Sequence, residues 1–392
     1  MLKKLIRHLD YSLIFVVIAL GVFGVMMIYS SSYPVALRFN LSIDFFFKRQ
    51  LIFLLVGCVL FLFAVLFPYK AYMNLTKMLV LLTFILLVIV FLAGKTTNNA
   101  QSWLSIGGFN IQPSELAKLA VIVYLSSVLA KKQSYIGNFG KAVFPPLVLV
   151  GFMAGLILIQ PDFGSMIILV AAAACIIYSA KLRAKHVLLL TVIGSIGLAI
   201  FFTFMASDNQ IGRFKGAYSP FENPKEGWQL VNSYIAIANG SISGVGLGNG
   251  TSKYGYLPEV QTDFIIANVS EELGFVGVLV TLIALFYIVI KGFIIGLRCK
   301  DTFGRLMAIG ISSWIGIQAF INLGAASGLL PVTGVPLPFL SYGGSSMLVL
   351  MLSTGILVNI SGFVNMRRKN KEASALHEQE EEVVKPTLRV VK

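Results

Sequence analysis

A chain of 392 residues that is 57% hydrophobic and 12% charged, with a mean hydropathy of +0.85, excludes a soluble domain, which is about a quarter charged. Its formal net charge of +14 does not point to nucleic acid, because the basic residues fall in short clusters between apolar runs, as membrane topology arranges them. The expected fold class is an all-α polytopic membrane protein.

Runs of about 20 apolar residues cross a hydrocarbon core of roughly 30 Å. They predict ten spans, near 11–31, 49–67, 76–94, 115–130, 143–160, 163–180, 186–206, 264–297, 305–325 and 346–365. Pro145, Pro146 and Pro161 blur the boundaries of the fourth to sixth. The run at 264–297 is too long for one perpendicular crossing and carries Glu271 and Glu272. It either begins with a turn buried in protein or tilts steeply.

Lys and Arg orient the spans. Lys3, Lys4, Arg7, Lys70, Lys131, Lys132, Lys141, Lys181, Arg183, Lys185, Arg298, Lys300, Arg305, Arg367, Arg368, Lys369 and Lys371 mark the cytoplasmic segments, with Lys48 and Arg49 as exceptions. Both termini are then cytoplasmic, and the opening MLKKLIRHLD leads into an uncleaved anchor rather than a signal peptide. Three segments fall outside: roughly 95–114, the long loop 207–263, and 326–345. Residues 1–366 form the membrane domain. Residues 367–392, basic then acidic and without aromatics, read as a disordered cytoplasmic tail.

Cys58 and Cys175 lie inside spans and Cys299 is cytoplasmic, so no external disulfide is expected. His8, His186 and His377 are on the cytoplasmic side as well. Acid–base chemistry on the outer face must therefore use Asp, Glu, Lys or Tyr.

In WLSIGGFNIQPSELAK, Ser114 is an expected N-cap for the fourth span, with Glu115 in its first turn. Glu115 and Lys118 share a face and can pair, either as a satisfied ion pair at a helix start or as a functional one. In QPDFGS, Asp162 is either the cap of the sixth span or part of an anion site. Trp228, Val231, Ile235 and Ala238 predict a short helix along the outer interface. Gly244, Gly246, Gly248 and Gly250 make only a weak phosphate loop, and Arg213, Lys215 and Lys253 supply positive charge nearby. In GVPLPFLSYGGSS, Pro336 and Pro338 break any helix ahead of Ser341, Tyr342, Gly343 and Gly344. Irregular backbone at that depth is buried in protein or lines a cavity, and a cavity is the expectation.

Taken in order, IQPSELAK, QPDFGS, GVGLGNG, YLPEVQTDFIIANVSEELG and GVPLPFLSYGGSS resemble the SEDS family (shape, elongation, division and sporulation). The resemblance covers nearly all of the chain to about residue 366. YSSS at Tyr29 to Ser32 and the charged tail favour the family's division type over its elongation type.

The resemblance implies a peptidoglycan glycosyltransferase that polymerises lipid II on the outer face of a bacterial cytoplasmic membrane, releasing undecaprenyl pyrophosphate. The family's P-E-x-x-T-D-F segment matches Pro258, Glu259, Thr262, Asp263 and Phe264, with Asp263 as the catalytic aspartate. Its E-E-L-G matches Glu271, Glu272, Leu273 and Gly274, and its Q-P-S-E-x-x-K matches Gln112, Pro113, Ser114, Glu115 and Lys118. Ser102 stands where members often have an arginine.

A sugar hydroxyl attacking an anomeric carbon needs one general base, and Asp263 is expected to serve, with inversion. Lys118, Arg213 and Lys253 are expected around the pyrophosphate or in positioning ion pairs. Glu115 is expected to orient Lys118, and Glu271 and Glu272 to be structural. No organic cofactor is expected, and Mg or Mn is compatible with the chemistry although no ligand set is readable. The implied partner is a class B penicillin-binding transpeptidase, alongside other division or elongation membrane proteins. The alternatives are a lipid II flippase or ion-coupled transporter, and a scaffold for the division machinery.

Overall fold

Inside a bilayer, backbone polar groups must find partners within the chain, and the apolar runs meet that demand as helices. The computed structural model describes residues 2–97, 100–106, 109–180, 182, 184–200 and 208–388. Lys181, Arg183 and the end of the seventh expected span lie outside the described residues.

In chain order, α1 (Leu2–Ile6), α2 (Tyr11–Arg38), α3 (Phe45–Leu66) and α4 (Tyr72–Ala93) come first. A small sheet follows: β1 (Lys95–Thr97), β2 (Ala100–Ile106) and β3 (Phe109–Ile111). Next are α5 (Pro113–Lys131), α6 (Phe139–Ala142), α7 (Phe144–Ile159), α8 (Phe163–Ser179) and α9 (Ala184–Ile200). The long loop holds α10 (Asp208–Tyr218) and α11 (Pro224–Gly240). The chain then runs through α12 (Ile265–Arg298), α13 (Thr302–Ala326) and α14 (Gly344–Leu388).

A helix occupies each expected apolar run. Among the described residues, seven are long and apolar enough to cross a membrane: α2, α3, α4, α5, α12, α13 and α14. Three shorter ones, α7, α8 and α9, cover the proline-interrupted stretch and its neighbour. The fold is that of a helical multi-pass membrane protein. Its interior is α5, α13 and α14, each with 78% of its apolar window buried, whereas α4 buries only 22% and turns most of its surface outward.

Three features differ from the sequence reading. The sheet is an antiparallel meander in which Lys95 pairs with Trp103 and Leu104 with Ile111. It was hidden because such short strands, broken by turn residues, leave no periodicity to read. Helix α5 starts two residues early, with Pro113 as its first residue and Gln112 at the cap position. Ser114 is therefore inside the helix and free to reach another element. Finally, α14 continues to Leu388 where a disordered tail was expected; Glu, Lys, Arg, Ala, Leu and Gln, all good helix formers, make up most of that stretch.

Helix α12 is broken near its start, as the buried-turn reading anticipated. Gly274 (φ 66°, ψ −164°) interrupts it in a conformation that only glycine adopts readily. The groups freed by the break bond to the preceding loop. Val245 N–H donates to Glu271 O (3.0 Å) and Gly246 N–H to Glu272 O (3.0 Å), while Phe275 N–H donates to Ser241 O (3.0 Å). The first part of α12, from Ile265 to Glu272, is buried.

Candidate active site

The start of α5 and the start of α8 are tied together by one carboxylate. Asp162 caps α8 by accepting from Ser165 N–H (3.1 Å). It also accepts from Gln112 Nε2 (2.8 Å) and Ser114 Oγ (3.0 Å). Of the two readings open for Asp162, the cap is what the geometry presents, with its second oxygen fixing the QPSE segment.

One turn further along α5, Glu115 and Lys118 form the anticipated ion pair at 2.8 Å, with both side chains almost fully buried. A buried pair survives only with further partners. Here Lys118 Nζ also approaches Gln318 Oε1 (3.4 Å) and lies 5.3 Å from the Trp314 ring centre. Trp314, Gln318 and Asn322 recur every four residues on α13 and so share one face. Trp314 Nε1 donates to Gln318 Oε1 (2.8 Å), and Gln318 Nε2 donates to Pro336 O (3.0 Å). Asn322 Nδ2 donates both to Asp263 O and to Val335 O, each at 2.8 Å. This face was missed in the sequence, although two amide side chains four apart in an apolar run were a visible signal.

Asp263 sits at the end of a tight turn. Glu259 has φ 54°, and its carbonyl accepts from the N–H groups of Thr262 and Asp263, both at 3.1 Å. Thr262 Oγ1 donates to Glu259 Oε2 (2.9 Å). The Asp263 carboxylate is half-buried and enters no hydrogen bond or ion pair among the described residues. Burial first, and the Glu259 charge second, push its pKa up to about 7, against an opposing pull from Arg213. Gly334 (φ 75°) lies beside it; a Cβ there would stand 3.8 Å from Asp263 Oδ2. Arg213, on α10, is exposed.

The glycine-rich loop is held by the carboxylates of the next helical turns. Glu272 pairs with Lys253 at 2.7 Å, both side chains essentially buried, and accepts from Ser30 Oγ (2.6 Å) and Gly248 N–H (3.0 Å). Glu271 accepts from Thr251 N–H and Oγ1, both 2.9 Å, and from Ser252 Oγ. Both glutamates are thereby bonded to the loop, and Glu272 to Ser30 of α2 as well.

The PLPFLSYGG segment, expected to line a cavity, is mostly packed in protein, with Pro336, Tyr342 and Gly343 partly exposed. Val335 and Leu337 to Ser341 are buried, because side chains satisfy the backbone that the prolines leave irregular. Ser341 Oγ accepts from Leu337 N–H (2.8 Å), and Tyr342 N–H donates to Gln261 O (2.8 Å). The Tyr342 ring meets Phe46 edge-on at 5.2 Å. Gly343 N–H donates to Gln50 Oε1 (3.4 Å), and Gly344 is pressed against the Phe53 ring, leaving no room for a Cβ.

The structure thus gathers Gln112, Ser114, Glu115, Lys118 and Asp162 at the ends of α5 and α8, and links them to Asp263 through Gln318 and Asn322. Lys253, Glu271 and Glu272 form a second cluster around the glycine loop. Lys118 and Lys253 are buried in ion pairs with Glu115 and Glu272; of the three basic residues expected near a pyrophosphate, Arg213 is the exposed one. Ser102 is buried on β2 and supplies no charge in place of the absent arginine. Among the described residues, no three His, Cys, Asp or Glu side chains converge as a metal centre.

A sequence profile described as "Cell cycle protein", for the FtsW, RodA and SpoVE proteins, matches residues 10–366. The "Probable peptidoglycan glycosyltransferase FtsW" of Bacillus subtilis (strain 168) is 46% identical over 387 residues, 96% of each chain. "Stage V sporulation protein E" of the same organism is 38% identical over 359 residues, 90% of this chain and 97% of that one. Among solved structures, a chain of a peptidoglycan synthase complex that coordinates polymerization and crosslinking superposes with a TM-score of 0.73. It is 25% identical, covering 90% of this chain and 97% of that one. The rod shape determining protein RodA of Thermus thermophilus shares the fold at a TM-score of 0.66, with 24% identity, covering 90% of this chain and 96% of that one. With a match over nearly its whole length, the chain belongs to the FtsW, RodA and SpoVE family of cell cycle proteins.

Proposed function

We propose that the protein is a peptidoglycan glycosyltransferase that polymerises lipid II at the outer face of a bacterial cytoplasmic membrane, with Asp263 as general base. One observation carries this reading. Of the motif carboxylates, Glu115, Asp162, Glu259, Glu271 and Glu272 are all engaged by neighbours, and Asp263 alone is uncommitted among the described residues.

A carboxylate with a pKa of about 7 is matched to accepting a proton near neutral pH. It takes the proton of the attacking sugar hydroxyl as the new bond forms at the anomeric carbon and the lipid pyrophosphate leaves from the opposite face. That leaving group needs positive charge more than a general acid. Arg213, exposed and electrostatically coupled to Asp263, is the cation assigned to it. A divalent cation brought by the pyrophosphate would meet Asp263 and Glu259, and a chelator titration of activity tests for it. The resemblance to a synthase complex supports a penicillin-binding transpeptidase as partner. The 46% identity to an FtsW supports the division type.

The test uses purified wild type and Asp263→Asn, each with the partner transpeptidase, labelled lipid II and a gel readout of glycan strands. Polymer from wild type and none from a folded, partner-bound variant is the expected result. Equal polymer from both removes Asp263 from the chemistry, and none from either sends the search to lipid flipping.

A further inference from the structure

A cavity of about 900 Å³ opens between α4, α5 and α7, far along α5 from Glu115. Such a volume is ample for a small ligand or a lipid chain. Its polar end holds Asn74 and Lys77, from the first turns of α4, and Lys131, the last residue of α5. Its other end is apolar. Phe84 and Phe152 stack there at 5.6 Å, with the exposed Val148 beside them. Phe84 lies about 10 Å further along α4 than Lys77, from the helical rise.

Among the described residues, the charges in this cavity have no acidic counter-ion. Lys77 and Lys131 are exposed and pair with no acid among the described residues. Between Asp44 and Asp162 the sequence has one acidic residue, Glu115, and it is buried with Lys118 at the other end of α5. The same lysine-rich end of the bundle carries Lys70, Lys132 and Lys141. A lysine in the second turn of an apolar helix extends its head to the interface and takes an anion there.

We propose that this groove binds one anionic glycerophospholipid from the leaflet on the lysine-rich side. Its phosphate lies between Lys77 and Lys131 with Asn74 as a further donor, and an acyl chain runs along Phe84, Val148 and Phe152. Basic pockets between membrane helices take such headgroups. A lipid is favoured over an acidic protein helix because the apolar end is open at residues that already face outward, Leu81, Val148 and Phe152.

The test is native mass spectrometry of the full chain released from vesicles of equimolar phosphatidylglycerol and phosphatidylcholine. One retained phosphatidylglycerol per chain is expected. Lys77→Gln/Lys131→Gln weakens its retention about thirtyfold, as two lysines at an anionic surface do. Val148→Trp, which fills the groove with both charges intact, also removes it. Lys3→Gln/Lys4→Gln, an equal loss of charge elsewhere, leaves it bound. Equal retention of the two lipids, wild-type retention by the groove double variant, or equal loss from the Lys3/Lys4 control overturns the proposal. So does a photocrosslinker at position 148 that joins a partner protein while neither lipid is retained.

Discussion

Asn322 holds Asp263 by its backbone, not by its carboxylate: one amide nitrogen donates to Asp263 O and to Val335 O, both at 2.8 Å. The turn that ends in Asp263 and the segment that carries Gly334 are thereby fixed to the same point on α13. The carboxylate is left free while its position is set.

Replacing Asn322 with Leu removes both donations and leaves two carbonyls without a partner, each costing about 1–3 kcal/mol where buried. A shift of Asp263 by a fraction of an ångström follows. Polymerisation is expected to fall by about two orders of magnitude, with the partner transpeptidase still bound. Lipid II turnover beside co-purification of the complex checks this, and unchanged turnover would remove the clamp from the mechanism.

Activity should depend on pH in a direction set by two neighbours. A base must be ionised, so the rate rises with pH through about 7 as Asp263 loses its proton. Glu259 disfavours the charged form, so Glu259→Gln moves the rise to lower pH. Arg213 favours the charged form, so Arg213→Gln moves it to higher pH, and it also lowers the plateau if the side chain meets the pyrophosphate. Initial rates from pH 5.5 to 8.5 resolve both shifts.

Breaking the Lys253–Glu272 pair on one side leaves a lone charge in the bundle, a loss of about 3–5 kcal/mol. Lys253→Met or Glu272→Gln should therefore lower the thermal midpoint sharply. The double variant Lys253→Met/Glu272→Gln should recover part of that loss. Fluorescence-detected size exclusion after heating reports the order; additive losses would mean the two residues act separately.

Gly274→Ala forces a side chain into φ 66° and against Ile242 O and Gly244 N. The conformation alone costs about 1–3 kcal/mol, and the collision detaches the glycine loop from α12. Limited proteolysis should then cut between residues 241 and 255, where the wild type resists.

What was legible in the sequence followed from the cost of charge in lipid. Apolar length marked every long helix, and Glu115, Lys118, Asp263, Glu271 and Glu272 stood out because carboxylates and lysines are rare at that depth. The partner of each was harder. Glu115 and Lys118 are three residues apart, so helical geometry pairs them. Lys253 finds Glu272 only because Gly274 breaks α12 and lets the loop fold back, a long-range arrangement with no local signature. Gln318 and Asn322, four apart in an apolar run, were a visible but uncharged signal, and the carbonyls they serve were not readable from the sequence. The sheet at 95–111 was too short to impose a period.

The break at Gly274 also decides how the protein tolerates membranes of different thickness. As one rod, the 34 residues of α12 would reach about 51 Å, far beyond a hydrocarbon core of roughly 30 Å. The roughly 24 residues after Gly274 reach about 36 Å, a length that modest tilt accommodates. The turns above the break are bonded to the loop, so tilt of the segment below it is the expected response to a thinner or thicker bilayer. Asp263 precedes the break and is bonded to α13 through Asn322, so hydrophobic mismatch taken up below Gly274 is expected to leave its position little changed.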